Sequence, residues 1–294
     1  MLIPCCFAVA EPPRLPACLT WVLATGYLAY NMNSLAFSAP PVASLAAAEV
    51  PVLLHDPADP PASLPGYFET LSRSLGLMHW WPARTPFEVI VGAILTQNTS
   101  WSNVERAIVQ LHRARLLTPR AIERVSPARL ARLVRPSGYF RQKAKKLKAF
   151  VRFLRLEYGG SLKRMFRTPT NRLREQLLDV HGIGPETADS ILLYAGGHSV
   201  FVVDAYTHRI FSRHGLTRGK PDYEPMRTLV EARLPRDPRV YNEFHALLVH
   251  VGKHWCRPRG PLCGQCPLES YLPANSILRS PLAALRGPSP EPVL

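Results

Sequence analysis

Asp204 follows shortly after a turn whose residue types suit contact with phosphate groups. In that turn Gly182 and Gly184 lie two residues apart and Pro185 comes next. Glycine has no Cβ, so the backbone can approach a ligand closely, and proline is favoured at the first position of a helix, whose N–H groups attract anions. The apolar run 200–203 should bury the chain up to Asp204 and leave the carboxylate at a rim. The stretch predicts a helix-hairpin-helix that grips a nucleic-acid backbone beside a candidate catalytic acid.

Asp204 also suits a structural role, since aspartate commonly caps the start of a helix such as one beginning at Ala205. For the residue alone, capping is the more ordinary interpretation. The preceding hairpin favours catalysis, and we therefore take Asp204 as the candidate catalytic residue.

The charge of the chain points to an anionic partner. The formal net charge is +15, yet residues 1–66 contain one arginine and four acidic residues, which leaves +18 for the remainder. A folded part this basic favours salt-sensitive binding to phosphate backbones, although an acidic lipid surface would satisfy the same charge. Charge alone therefore gives a class of partner and no chemistry.

The elements that must position the hairpin are helices. Helical spacing of apolar residues begins near Tyr67, a capping box at Thr85 launches an apolar helix over 87–95, and Ser126 caps a shorter helix. A helix over 139–158 should bury one face and display a basic one, which could contact phosphate or simply be solvated. No strand alternation is evident, so the predicted fold is all-α. The basic residues expected on that displayed face are Arg141, Lys143, Lys145, Lys146 and Lys148.

Both ends of the chain differ in composition from the middle. Residues 1–66 are rich in proline, alanine and serine and are interpreted as a mostly disordered or dispensable extension. The apolar run 17–30 is too short to span a bilayer comfortably and lacks a clear cleavage site, so we expect neither membrane insertion nor export. Residues 273–294 are predicted to form a flexible tail.

Four segments together resemble the endonuclease III superfamily of base-excision DNA glycosylases. They read HWWPARTPFEVIVGAILTQNTSW, VRPSGYFRQKAKKLKAF, HGIGPETADSILLYA and VVDAY, and within the superfamily they are most similar to the endonuclease III-like 3-methyladenine DNA glycosylases. The resemblance implies a two-lobed helical glycosylase domain over 67–272 that acts on double-stranded damaged DNA. It also implies a monomer, and we expect a cytoplasmic location.

By this resemblance an aromatic pocket would receive the damaged base. Its lining would be Trp80, Trp81, Pro82 and Trp101. An alkylated purine carries positive charge, and a cation between aromatic faces gains roughly 0.5–2 kcal/mol per contact. The alternative is that one or both of the adjacent tryptophans are ordinary core residues.

The resemblance also places a DNA contact at Gln97. The other predicted DNA contacts are Asn98 beside it, Gly182 and Gly184 of the hairpin, and Lys143, Lys145 and Lys146 of the basic face. Gln97 would enter the duplex and fill the space left when the damaged nucleotide is extruded. Its alternative role is to end the preceding helix.

The mechanism implied is hydrolysis without strand cleavage. Ionised Asp204 would stabilise the oxocarbenium charge developing at C1′ and orient or deprotonate the attacking water. Bifunctional relatives carry a lysine where this chain has Glu186, so the amine for a Schiff base is absent. Open alternatives are another base specificity, such as oxidised pyrimidines or mismatches, and a non-catalytic DNA-binding protein.

Three cysteines near the C-terminus resemble part of the iron–sulfur loop of the same superfamily. Cys256, Cys263 and Cys266 match its first three ligands, whereas the fourth position is Leu272. A [4Fe-4S] cluster is normally held by four thiolates. The alternatives are a zinc site completed by His254 and a loop without metal.

Overall fold

Helices form all the regular structure of the residues described. The computed structural model describes residues 64–78, 83–217, 222–274, 276 and 278. No strand and no helix long and apolar enough to cross a membrane occurs among them, and the all-α prediction is confirmed. In chain order the α-helices are α1 (Leu64–Leu75), α2 (Pro86–Leu95), α3 (Trp101–Arg113), α4 (Pro119–Arg124), α5 (Pro127–Leu133), α6 (Phe140–Tyr158), α7 (Leu162–Met165), α8 (Thr170–Leu178), α9 (Pro185–Ser190), α10 (Ala205–Arg213), α11 (Tyr223–Glu231) and α12 (Pro238–His254).

A π-helix and three 3-10 helices complete the regular elements of this part of the chain. The π-helix continues directly from α9. Short 3-10 turns follow α5 and occur twice in the C-terminal loop. The π-helix spans Ile191–Ala195, and the 3-10 helices span Arg135–Ser137, Cys263–Gln265 and Glu269–Tyr271.

Several helix starts follow directly from their capping residues. Thr85 accepts a hydrogen bond from the Glu88 N–H at 3.2 Å, and Pro86 occupies the first position of α2. Ser126 caps α5 in the same way, again with proline following. A side-chain oxygen at this position satisfies an N–H group that has no partner within the helix. The predicted starts of α2 and α5 are confirmed.

The first helix begins earlier than predicted. It begins at Leu64, which is only 1% exposed and lies within the segment predicted to be disordered. It ends at Leu75 because Gly76 adopts a positive φ of 71°, so Met78 lies beyond the helix. The rest of the predicted extension, including the apolar run 17–30, lies outside the described residues.

The helices form two lobes. Helices α2 to α9 pack largely on one another, with α6 against α4 and α5. The N-terminal helix α1 packs instead on α12, where the rings of Phe68 and Phe244 lie 6.0 Å apart, and α12 packs on α10. The π-helix contacts both α2 and α12, so it joins the two lobes next to the hairpin.

The basic face of α6 is not the one that was predicted. Lys143 was expected in solvent but is 2% exposed, and its ammonium donates to the carbonyl of Ser137 at 2.5 Å. Burial, together with the charge of Lys146, lowers its pKa to about 8. Lys148 donates to the carbonyls of Glu123 and Val125 at the end of α4. These two amines therefore satisfy backbone carbonyls inside the fold.

Candidate active site

The predicted hairpin is formed by α8, a turn and α9. Gly182 has a φ of +82°, and a Cβ there would lie 2.5 Å from Cγ of Lys146. Both the backbone conformation and the packing therefore require glycine. Gly184 has an ordinary φ of −96°, and a Cβ there would meet nothing within 4 Å. The protein leaves the space above Gly184 open to a ligand.

Gln97 connects the turn after α2 to this hairpin. Its amide nitrogen donates to the Gly182 carbonyl at 3.1 Å and to the Thr187 hydroxyl at 2.9 Å. Its amide oxygen accepts from the ammonium of Lys146. Gln97 is thus docked on the hairpin, whereas its neighbour Asn98 is exposed and has a φ of +54°.

A buried ion pair holds the two hairpin helices together. Arg174 of α8 makes two hydrogen bonds to Asp189 of α9, at 2.7 and 3.0 Å, and Asp189 is fully buried. Tyr223 donates to the same carboxylate at 2.9 Å and accepts from the Val203 N–H at 3.4 Å. The network therefore runs from the hairpin to the residue before Asp204.

Asp204 caps α10 with one of its two carboxylate oxygens. Oδ1 accepts from the N–H groups of Tyr206 and Thr207, at 3.0 and 2.8 Å, and from the Thr207 hydroxyl at 3.1 Å. The side chain is 13% exposed. Burial tends to raise its pKa, but His245 and the Thr207 hydrogen bonds outweigh burial and hold the pKa below its usual value. Asp204 therefore caps a helix with Oδ1, which leaves Oδ2 outside the cap, and its catalytic role stays a prediction.

The second oxygen of Asp204 faces a histidine that sequence reasoning missed. His245 Nε2 lies 3.6 Å from Asp204 Oδ2, and its Nδ1 lies 2.7 Å from the hydroxyl of Tyr194. Tyr194 belongs to the π-helix, an element often found at functional sites. The available signal was a histidine within the apolar, buried sequence of α12, but its partner could not be read from spacing.

Glu186 lies in the first turn of α9 close to the same carboxylate. Its side chain is exposed at the mouth of the site, yet desolvation by the surrounding protein raises its pKa, and the charge of Asp204 raises it further. His245 has the opposite influence on the Glu186 pKa. The two carboxyl groups thus have pKa values that the site shifts in opposite directions.

The predicted base pocket is described only in part. Trp80, Trp81 and Pro82 lie outside the described residues. Trp101 begins α3, is partly buried against the core, and donates its indole N–H to Glu105 at 2.8 Å. Its role in binding a base stays a prediction.

The three lysines predicted to contact DNA differ in exposure. Lys145 is exposed, Lys146 is half-buried beneath the hairpin, and Lys143 is buried. The placement of Lys143 on a DNA-binding surface is therefore wrong, because its ammonium is used inside the fold. For Lys145 and Lys146 the contact with DNA stays a prediction.

The cysteine loop follows α12 and is held by two arginines of α10. Arg209 donates to the carbonyls of Gly252 and Cys256 at 3.0 and 2.6 Å. Arg213 donates to the Cys256 sulfur at 3.3 Å and to the carbonyls of Arg257 and Pro258 at 2.7 and 3.1 Å. Ordinary hydrogen bonds thus fix the first part of the loop.

The donor set of this loop does not fit a four-thiolate cluster. Cys256, Cys263 and Cys266 are free thiols around a small cavity, and Leu272, at the fourth position, is 4% exposed and lines the same cavity. Burial raises the pKa of the Cys266 thiol to about 11. His254 stacks on His250 with ring centroids 4.2 Å apart and does not line the cavity. Within the described ranges no three His, Cys, Asp or Glu side chains are arranged to hold a metal ion.

A helix-hairpin-helix next to an ionised aspartate, on a two-lobed helical fold, defines the class of base-excision DNA glycosylases. Residues 91–236 match the family described as HhH-GPD superfamily base excision DNA repair protein. The Methanocaldococcus jannaschii protein MJ1434 is 46% identical over 198 residues, which cover 67% of this chain and 89% of that protein. The chain therefore belongs to this superfamily.

Other relatives support the same assignment. Endonuclease III of Thermotoga maritima is 31% identical, with 63% of this chain and 82% of that protein covered. The crystal structure of the H. pylori 3-methyladenine DNA glycosylase MagIII bound to 1,N6-ethenoadenine is 31% identical and has a TM-score of 0.56, with 63% of this chain and 96% of that chain covered. A non-covalent endonuclease III–DNA complex shares the fold at 21% identity and a TM-score of 0.61, with coverage of 70% and 92%.

Proposed function

We propose that the protein is a monofunctional DNA glycosylase in which Asp204 is the catalytic carboxylate. The observation that carries the proposal is that the two carboxylate oxygens of Asp204 have different contacts. Oδ1 is fixed by three donors at the start of α10, while Oδ2 is turned away from the cap and the group has a lowered pKa. A fixed, ionised carboxylate suits the stabilisation of positive charge that develops in a transition state.

The reaction follows from these positions. The hairpin holds the DNA backbone at the open space over Gly184, and the damaged nucleotide leaves the stack, which costs a few kcal/mol for a normal base and less for a damaged one. The N-glycosidic bond breaks with its electron pair going to the base, and Asp204 stabilises the cationic sugar. Water then bonds to C1′, and its proton passes to Asp204 or to solvent. The products are the free base and an abasic site in intact DNA.

The absence of strand cleavage rests on Glu186. A lyase reaction needs an amine that attacks C1′ and forms a Schiff base, and a carboxyl group cannot do so. Among the lysines of the described chain, Lys143 is the one with a strongly lowered pKa, but its ammonium is buried against the Ser137 carbonyl. It is therefore a poor candidate for the missing nucleophile.

For the substrate we propose alkylated purines of the 3-methyladenine type. The similarity to MagIII, a 3-methyladenine DNA glycosylase bound to an ethenoadenine, supports this choice. So does the aromatic composition of the predicted pocket, because a cationic base gains from aromatic faces. Such a base already carries positive charge and leaves without protonation, so Asp204 alone suffices.

A second substrate class is favoured by Glu186. Its raised pKa increases the protonated fraction of a carboxyl group close to Asp204, and a protonated acid can donate to a base that is neutral and therefore a poorer leaving group. The thymine-DNA glycosylase of Aeropyrum pernix is 29% identical to this chain over 194 residues. Mismatched pyrimidines are the corresponding candidate substrates.

The test is base release from three duplexes that carry an alkylated purine, a G·T mismatch or an oxidised pyrimidine, each incubated with and without hot alkali. We expect release from the alkylated duplex and strand breaks only after alkali. Release from the mismatch that is lost in Glu186→Gln, with none from alkylated DNA, would establish the second substrate class. Breaks without alkali would overturn the monofunctional assignment.

A further inference from the structure

A buried histidine and tyrosine lie behind Asp204, and the proposed reaction does not use them. His245 is 4% exposed on α12, between the buried Phe244 and Ala246. Its ring also packs edge-to-face on Phe201, with centroids 6.3 Å apart. An apolar side chain would suit these neighbours, because burying an imidazole without polar partners costs free energy. Polar contacts must therefore stabilise the imidazole at this position.

Those contacts give His245 a fixed orientation. Tyr194 lies with its hydroxyl 2.7 Å from Nδ1, and burial together with the charges of Asp204 and Glu186 raises the pKa of that hydroxyl well above its usual value. The phenol is therefore protonated and can donate to Nδ1. When Nδ1 of a neutral imidazole accepts, the ring proton lies on Nε2. In the imidazolium form Nε2 carries a proton as well, so in both forms an N–H group faces Asp204.

The distance to the carboxylate matters for its role. Nε2 lies 3.6 Å from Asp204 Oδ2, longer than a direct hydrogen bond. At this separation the interaction is mainly the attraction between the carboxylate charge and the N–H group, and it lowers the pKa of Asp204. Because Oδ1 is already occupied by the α10 cap, Oδ2 is the oxygen that this N–H group influences.

We propose that His245, oriented by Tyr194, is a positioning residue that keeps the Oδ2 side of Asp204 ionised and aimed into the active site. The proposal rests on the proposed function, since it assigns a role within the same reaction. His245 acts through Asp204 and needs no contact with the DNA.

The surrounding charges explain why such support is needed. The groups that face Asp204 are Glu186 from α9, Tyr194 from the π-helix, His245 from α12 and Tyr206 from its own helix. Burial disfavours an ionised Asp204, and His245 is the side chain from another element that favours it. Removing His245 should therefore raise the pKa of Asp204.

The test compares single-turnover base release against pH for the wild type, His245→Leu, His245→Gln and Tyr194→Phe. For His245→Leu we expect a rate at neutral pH lower by up to about 100-fold and an acidic limb moved to higher pH. His245→Gln retains an N–H donor and should recover part of both effects. Tyr194→Phe removes only a hydroxyl and should move the limb in the same direction by less. Equal losses at every pH, with an unmoved limb, would assign His245 to structure alone and overturn the proposal.

A second readout does not depend on catalysis. The carboxyl carbon of Asp204 can be followed by NMR during a pH titration, with its signal assigned by its absence in Asp204→Asn. We expect the midpoint to rise in Tyr194→Phe and His245→Gln relative to the wild type, and an unchanged midpoint would contradict the proposal. If the wild type releases no base from any duplex, the proposed function fails, while this titration still decides whether His245 controls the ionisation of Asp204.

Discussion

The two motifs that stand out in the sequence lie at opposite ends of α10. At its N-terminal end Asp204 caps the helix and faces His245. Near its C-terminal end Arg213 bonds to the carbonyls and the Cys256 sulfur of the cysteine loop. In the first motif the predicted Asp204 lies together with the groups that it contacts. In the second motif three thiols are present, but a buried leucine occupies the position of the fourth ligand.

The difference shows what a spaced motif can establish. For the hairpin, each glycine has a distinct physical reason: Gly182 has a positive φ and close packing against Lys146, and Gly184 has open space. For the cysteine loop, hydrogen bonds from α10 and apolar packing account for the conformation. A motif therefore predicts chemistry only when the structure places every participating group.

The largest change is expected from restoring an amine beside Asp204. Glu186→Lys should give the enzyme a nucleophile at the position where bifunctional relatives carry lysine, and hence a new lyase activity. Borohydride should trap a covalent complex with DNA that contains an abasic site, and wild-type protein and Glu186→Gln should give none. A wild-type complex as abundant as that of the lysine variant would show that another amine already acts as the nucleophile.

At the other end of α10, Leu272 should behave as a packed core residue. Leu272→Ala should lower the free energy of unfolding by about 2–5 kcal/mol, the usual range for a buried leucine, measured by urea denaturation. Leu272→Cys supplies the missing thiol, and we expect more iron bound per protein after reconstitution than in the wild type. Equal and stoichiometric iron in both proteins would show that three cysteines suffice.

Within the hairpin, the two glycines form a matched pair. Gly182→Ala requires a left-handed alanine and displaces Lys146, so the free energy of unfolding should fall by about 1–3 kcal/mol. Gly184→Ala should cost at most about 1 kcal/mol and yet weaken DNA binding, because the new methyl group enters the open space. Fluorescence anisotropy with an abasic-analogue duplex measures the second effect. Unchanged affinity in Gly184→Ala would show that the DNA backbone does not bind at the open space of this turn.

The smallest effect distinguishes two neighbouring lysines of α6. Lys145→Ala should reduce the slope of log binding constant against log salt by about one, as expected for one lost phosphate contact. Lys143→Met should leave that slope unchanged and lower stability, because the Ser137 carbonyl loses its donor. A smaller salt slope in Lys143→Met, with an unchanged slope in Lys145→Ala, would show that Lys143 contacts DNA after all.

Local signals in the sequence predicted much of the fold. Thr85-Pro86 and Ser126-Pro127 fixed two helix starts because capping depends on adjacent residues. The hairpin was recognisable as well, because its glycines and proline are also close together in the sequence. The start of α1 at Leu64 was missed, since its helical conformation depends on burial against distant helices rather than on a local cap.

The partners within the site could not be predicted, because they come from separate elements. His245 meets Tyr194 across 51 residues, and Arg174 meets Asp189 across a turn whose geometry spacing does not give. Lys143 was predicted to be exposed because it lies among other basic residues. Its hydrogen bond to the Ser137 carbonyl is evident only in the three-dimensional structure. Predictions failed where a polar side chain is used inside the fold.

The most direct test of the role of Asp204 is single-turnover base release by Asp204→Asn on the duplex from which the wild type releases base fastest. Asparagine retains the helix cap but has no charge. Asp222→Asn is the matched control, because Asp222 also occupies a helix N-cap but is exposed and makes no side-chain cap bond. We predict a loss of at least about 100-fold for Asp204→Asn, with DNA affinity retained, and a wild-type rate for Asp222→Asn. A wild-type rate for Asp204→Asn would contradict the account.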